Sequence, residues 1–242
     1  MKKIAIFGYG RFGRTLYRLL EKDFQVVIYD RHAAKKTPLT EIYSADAVFY
    51  CVPIAVFEKV IRQHRTYFRN QLLIDVLSVK EYPKTIFQQY LRGKKTEALL
   101  MHPLFGPDSS KNGFSGLPLV MDKFNCQEKN YCFWKKYFIK KGLNVIEMSA
   151  EKHDRLAAFS QGLTHFVGRM LEEANFKSTQ IDTLGAKKLH EVKEQTCNDT
   201  WQLFLNLQNY NQYTRTMRLS LGRAYDRLYN KLLPRRVNPC WL

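Results

Sequence analysis

Lys3-Ile4-Ala5-Ile6-Phe7-Gly8-Tyr9-Gly10-Arg11-Phe12-Gly13 is the stretch that decides the fold. A short apolar run with strand character stops at Gly8, and from Arg11 to Lys22 the spacing turns helical. A Gly-x-Gly-x-x-Gly turn between a strand and a helix is the dinucleotide-binding fingerprint, specific only when both flanks are right, as they are here. Gly8 permits the tight turn, Gly10 lets the backbone approach a pyrophosphate, and Gly13 lets helix and strand pack closely. Tyr9, Arg11 and Phe12 complete the loop. The phosphates then face the free N–H groups and the positive dipole end of the helix. Asp30 closes the second predicted strand, at the interval of about 20 residues where the fingerprint places an acid to bind the adenosine ribose. A carboxylate there repels a 2′-phosphate, so NAD is expected. Arg31 and His32 follow at once and suit that phosphate, which keeps NADP open. The plain alternative for Asp30 is a solvated acid at a strand end.

Outward from this turn, strand-like runs are expected at Lys3–Phe7, Gln25–Tyr29, Ala47–Cys51, Leu72–Asp75, Ala98–Met101, Leu117–Met121 and Asn144–Glu147. Helical spacing fills Arg11–Lys22, Ala55–Phe68, Tyr82–Leu91 and Gln127–Lys140. Strands alternating with helices imply βαβ units, a doubly wound and mostly parallel sheet, and an α/β, Rossmann-like domain over residues 1–148. After Ser149, an apt N-cap followed by Glu151 in the first turn, long helical patterns take over. One runs to about Asn175, with others at Asp182–Thr196 and Asn198–Leu232. Residues 149–233 are read as an all-α domain and 234–242 as a loose tail after Pro234. So short an all-helical segment is small for an independent core, and it is expected to pack on the first domain and on a second copy of itself, as a homodimer.

Bulk properties narrow the classes. The chain has 242 residues and a net charge of +17. That charge suits an enzyme with an anionic cofactor and substrate. Basic blocks are short and no nucleic-acid-binding signature accompanies them, so nucleic acid is disfavoured as a partner. No apolar run approaches the ~18 residues of a membrane span, and the N-terminus reads as a first strand rather than a signal peptide. A cytoplasmic protein with no membrane partner is expected. The five cysteines are scattered without a CxxC pair, so no metal site or disulfide framework is expected.

Ligands of open parallel sheets gather beyond the carboxyl ends of the strands. Cys51-Val52-Pro53 follows the third strand; Pro53 either stiffens a turn against which a nicotinamide lies or merely punctuates a loop, and Cys51 reads as a buried thiol. Ser78 follows the fourth strand and His102 the fifth. A histidine titrates near neutrality and can take a hydroxyl proton while hydride leaves the same carbon. Ser78 would orient that imidazole or hydrogen-bond the hydroxyl. Otherwise His102 is a loop residue held beside Pro103. On the helix after Ser149, Asp154, Gln161 and His165 fall within about 40° of one another at ~100° per residue. Such a stripe either faces water or walls a cleft.

At these residues the sequence resembles the prephenate/arogenate dehydrogenase family of tyrosine biosynthesis. The likeness runs through Gly8–Gly13, Asp75–Lys80 (DVLSVK), His102–Pro107 (HPLFGP), His153–Arg169 (HDRLAAFSQGLTHFVGR) and Asn198–Asn209 (NDTWQLFLNLQN), and is nearest the compact arogenate-type branch. The resemblance implies a Rossmann-like domain followed by an all-helical dimerisation domain, and NAD(P)-dependent oxidative decarboxylation of prephenate or arogenate. It casts His102 as the catalytic base, Ser78 as its partner at the ring hydroxyl, and His165 as the helical histidine near the substrate side chain; Gln161, from the polar stripe on the same helix, is a further substrate-binding candidate. The family holds the substrate carboxylate with an arginine from the helical half. The matching stretch Glu191–Trp201 offers Lys193 instead, a charge without the bidentate fork; Arg215 or Arg218 are the other candidates. Two alternatives stand beside this reading: a dehydrogenase or reductase of the same plan acting on another small acid, and a non-catalytic nucleotide-sensing or nucleic-acid-binding protein.

Overall fold

The computed structural model describes residues 2–34 and 36–233. The expected tail at 234–242 lies outside them. The chain divides into two compact units, Met1–Leu156 and Ala157–Leu242. The division thus falls one helix later than the expected 148/149 boundary.

In the first unit the elements run β1 (Lys3–Phe7), α1 (Arg11–Leu20), β2 (Gln25–Tyr29), α2 (Leu39–Ile42), β3 (Ala47–Tyr50), α3 (Ile54–His64), β4 (Leu72–Asp75), α4 (Glu81–Tyr90), β5 (Glu97–Pro103), β6 (Pro118–Asn125), α5 (Glu128–Lys140), β7 (Asn144–Glu147) and α6 (Ala150–Ala157). One seven-stranded sheet has the order β2-β1-β3-β4-β5-β6-β7. Strands β1 to β5 are mutually parallel. The residues between β5 and β6 form no helix, and β6 returns antiparallel to β5 before β7 pairs parallel with it. The carboxyl ends of β1 to β5 therefore share one edge. Every residue of β3 and β4 is buried, as expected of parallel strands covered on both faces. Trp134 of α5 seals one face, its ring edge-on to Phe49 at 5.0 Å and stacked with Phe138 at 5.6 Å.

The second unit is helical. A π-helical turn, Ala158–Gly162, leads into α7 (Leu163–Glu173), followed by α8 (Leu184–Cys197), α9 (Trp201–Tyr210) and α10 (Thr214–Leu232). Thr183 and Thr200 cap α8 and α9, their hydroxyls accepting from Ala186 N and Leu203 N. Helices α7 and α8 approach so closely at Gly168 that a Cβ there would lie 1.9 Å from Thr196 Oγ1. The single helix expected over Asn198–Leu232 is broken at Asn211. Its backbone is extended, its side-chain oxygen accepts from Tyr213 N at 2.9 Å, and the Thr214 hydroxyl donates to Gln208 O. A local side-chain turn outcompetes helix continuation there. Among the described residues no helix is long and apolar enough to cross a membrane.

The helix after Ser149 buries part of its polar stripe. Asp154 and His165 of the polar stripe are buried, whereas the apolar Leu156 and Phe159 are 52% and 48% exposed. Gln161, the third member of the stripe, is half-buried.

Candidate active site

The glycine turn is built by close backbone approach. Gly8 has φ +101°, and a Cβ on it would lie 2.4 Å from Cys51 O; one on Gly13 would lie 2.2 Å from Gly8 O. Gly8 N donates to Tyr29 O at 2.8 Å, locking the turn to β2. These two glycines are needed by the protein itself. Gly10 differs: it is exposed, and a Cβ there meets nothing within 4 Å. Helix α1 has no side-chain cap and no acid in its first turn, so its leading N–H groups remain available to an anion. The turn fits a dinucleotide pyrophosphate.

Around it, Tyr9 sets its ring edge-on to Tyr17 at 5.8 Å, Phe12 packs on Phe105, and Arg11 reaches Asp108 at 3.0 Å. Cys51 sits under the turn, and burial raises its thiol pKa far above the ordinary range. Pro53 starts α3 as its N-cap. Asp30 follows β2; its Oδ1 accepts from His32 N at 2.9 Å, while Arg31 Nε donates to His32 Nε2 at 2.8 Å.

Three strands from β1 along the same edge, at β5, lies the chemistry-bearing cluster. His102 is the penultimate residue of β5, which runs two residues beyond its expected end at Met101. A strand backbone, not a loop, holds the imidazole. Its Nδ1 is 2.8 Å from His153 Nε2, with the two rings edge-on at 4.9 Å. His153 Nδ1 is in turn 2.7 Å from Asp154 Oδ1. Asp154 accepts two backbone N–H groups, Lys80 N on Oδ1 at 2.7 Å and Glu81 N on Oδ2 at 2.9 Å. His102, His153 and Asp154 are only 4%, 3% and 0% exposed. Burial, then His153 and Lys80, hold His102 well below the ordinary histidine pKa, so it is a neutral imidazole at pH 7. Ser78 is half-buried in the loop after β4, two residues before the Lys80 amide that Asp154 anchors. Sequence reasoning missed His153; the adjacent His-Asp pair opening a helix was the available signal.

Beneath His102, Lys80 is wholly buried against Asp75, and its ammonium also donates to Met101 O. Asp75 additionally accepts from Leu77 N at 3.1 Å and Met101 N at 3.3 Å. Burial pushes Asp75 up to about 6 and Lys80 down, against their mutual attraction. The pair ties the β4 loop to β5 and fixes where the imidazole stands.

In the second unit, Gln161 Oε1, His165 Nδ1 and Arg169 Nε are buried without a hydrogen-bond partner. Their spacing of four residues puts them along one side of the helix. Burial lowers the His165 pKa, opposed by Asp199. Arg169 lies over the rings of Trp201 and Phe204 and donates to the carbonyls of Thr196 and Asp199. Lys193 is engaged otherwise: its ammonium meets Glu172 at 2.8 Å and Phe176 O at 2.7 Å. Arg218 donates to Gln208 O and Oε1. Among the described residues no three His, Cys, Asp or Glu side chains converge to hold a metal ion.

Comparison with known proteins bears on the family and the fold. The profile of the prephenate dehydrogenase nucleotide-binding domain matches residues 25–123, and one described as TYRAAT1-like, C-terminal domain, matches residues 170–239. The chain is 34% identical to arogenate dehydrogenase 2, chloroplastic, of Arabidopsis thaliana, over 96% of this chain and 70% of that one. It is 35% identical to arogenate dehydrogenase 1, chloroplastic, of the same plant, over 86% of this chain but only 36% of the longer relative. Among solved structures, prephenate dehydrogenase from A. aeolicus in complex with hydroxyphenyl propionate and NAD+ superposes with a TM-score of 0.75 at 17% identity, covering 95% of this chain and 90% of the other. Synechocystis arogenate dehydrogenase superposes with a TM-score of 0.69 at 18% identity, covering 96% and 94%. At such identities the structural likeness speaks for the fold.

Proposed function

The chain belongs to the prephenate/arogenate dehydrogenase family, and from that premise we propose that it catalyses the NAD(P)-dependent oxidative decarboxylation of arogenate or prephenate. Arogenate is placed first because both Arabidopsis relatives are named for it. The observation that carries the reading is His102: a neutral imidazole, held by a strand end on the same edge of the sheet as the glycine turn.

His102 takes the ring hydroxyl proton as the carbinol carbon becomes a carbonyl, and Ser78 hydrogen-bonds the same oxygen. A base must be uncharged to act, and burial keeps His102 so at neutral pH. The open face at Gly10 and the uncapped start of α1 hold the dinucleotide phosphates, with Asp30 and Arg31 toward the adenosine ribose and Cys51 and Pro53 walling the turn. The nicotinamide of NAD, or of NADP, supplies the hydride acceptor. Gln161 and His165 are assigned to the substrate's polar groups, on the strength of their unpartnered buried atoms. Lys193 is the weaker assignment, since Glu172 already neutralises it.

The assembly we propose is a homodimer: the second unit exposes Leu184, Trp201, Leu219, Leu228 and Tyr229, more apolar surface than a small helical unit leaves to water. The compartment proposed is the cytoplasm, consistent with Cys51, Cys126, Cys132 and Cys197, among the described residues, being free thiols.

The test is direct. Purified protein mixed with NAD or NADP and with arogenate or prephenate should reduce cofactor in at least one pairing. His102→Asn should still bind cofactor while losing about 10²–10⁴-fold in kcat, the usual worth of a general base. No turnover with any pairing, or a His102→Asn enzyme at the parent rate, overturns the reading.

A further inference from the structure

We propose that His153, fixed by Asp154, is a positioning residue that holds His102 in its Nδ1–H tautomer and so leaves Nε2 as the proton acceptor. Its catalytic consequence rests on the function proposed above; the tautomer itself does not.

Asp154 receives N–H groups from Lys80 and Glu81, and its Oδ1 also faces His153 Nδ1 at 2.7 Å. A carboxylate only accepts, so His153 carries its proton on Nδ1. With the ring proton on Nδ1, His153 presents the lone pair of Nε2, which lies 2.8 Å from His102 Nδ1. His102 must donate there, which puts its ring proton on Nδ1. Among the described residues its Nε2 has no hydrogen-bond partner. All three side chains are almost wholly buried, so water does not compete for these positions and a mismatched tautomer would leave a buried polar group unsatisfied.

The arrangement matters because the two nitrogens are not equivalent. A ring protonated on Nε2 presents a donor where a base is needed. When His102 gains a proton on Nε2, its Nδ1–H still finds the same acceptor, so no partner has to move. The backbone helps: Asp154 grips the first N–H groups of the segment that follows Ser78, so one carboxylate orders both the His153 ring and the serine loop.

The test is histidine ¹⁵N NMR on the full-length protein, with kinetics alongside. In the parent, His102 Nε2 should resonate as an unprotonated nitrogen and Nδ1 as a protonated one. His153→Phe, which removes the acceptor, should redistribute the His102 proton and lower kcat about 10²-fold, with KM and cofactor affinity within about twofold. His153→Gln should restore the parent tautomer and come within about tenfold of parent kcat, because an amide both donates to Asp154 and accepts from His102. A parent spectrum with the proton on His102 Nε2, meaning that His153 is the donor, overturns the proposal. So does a His153→Phe enzyme with parent tautomer and parent kcat. If the parent turns over no substrate, the function proposed above fails while the tautomer readout still decides this one. If the Phe variant does not fold, the parent spectrum and the Gln variant decide it.

Discussion

Alanine at Gly13 and alanine at Gly10 should separate what the glycine turn does for the protein from what it does for a cofactor. A Cβ on Gly13 would lie 2.2 Å from the carbonyl oxygen of Gly8. Carbon and oxygen rest at about 3.3 Å, so helix α1 and the turn must part by roughly 1 Å. Both atoms belong to the backbone, and no rotamer change relieves the clash. Forced overpacking of this kind costs about 1–3 kcal/mol, and it shifts the N–H groups that face the phosphates. Gly13→Ala should therefore lose stability in urea and also bind NAD or NADP poorly. A Cβ on Gly10 meets nothing within 4 Å, and its φ of −72° suits alanine. Gly10→Ala gives up only the mild N-cap preference for glycine, under about 1 kcal/mol. Its methyl group stands where the pyrophosphate must approach, so cofactor affinity should fall at least tenfold, about 1.4 kcal/mol. The assays are urea unfolding and a fluorescence titration with each cofactor. A Gly10→Ala protein that binds cofactor as tightly as the parent would refute the placement of the phosphates. A Gly13→Ala protein as stable as the parent would refute the packing argument.

Other outcomes follow from the same structure. Lys80→Met leaves Asp75 buried without its cation and should cost about 3–5 kcal/mol in urea at pH 8. Losing the lysine raises a carboxyl already pushed up to about 6, and a raised acid stabilises below its unfolded value and loses that as pH climbs, so the deficit should be largest above pH 6 and shrink in acid. Because His102 sits well below the ordinary histidine pKa, the acid limb of kcat/KM should lie well below pH 6.5; a limb at or above 6.5 contradicts the buried, neutral base. Light scattering should give about twice the 28.6 kDa chain mass, and Leu228→Glu should shift the particle toward the monomer; a monomeric parent removes the proposed role of the exposed apolar helices.

The first unit was largely legible in the residues because its signals are local. A glycine that must take positive φ, a strand stopping at a glycine and a helix starting three residues later are all short-range, and the alternation of strands and helices follows from period alone. What the sequence hid is where contacts join distant positions. Strand β6 turns antiparallel, and no local pattern in Leu117–Met121 distinguishes one direction from the other. The apolar Leu156 and Phe159 lie outward while Asp154 lies inward, because helical spacing tells which residues share a face but not what that face meets. The break at Asn211 turns on one side-chain hydrogen bond outcompeting the helix. Ser78 and His102 could be named from their places at the ends of strands; His153 carried a signal in its adjacency to Asp154, but its contact with an imidazole 51 positions away along the chain is not local. The chain alone thus determined the glycine turn, the parallel sheet and the residues gathered at its edge, each dictated by backbone sterics over a few positions. Tertiary structure alone decided which nitrogen of His102 is free to accept a proton, because that depends on buried partners that only folding brings within hydrogen-bonding distance.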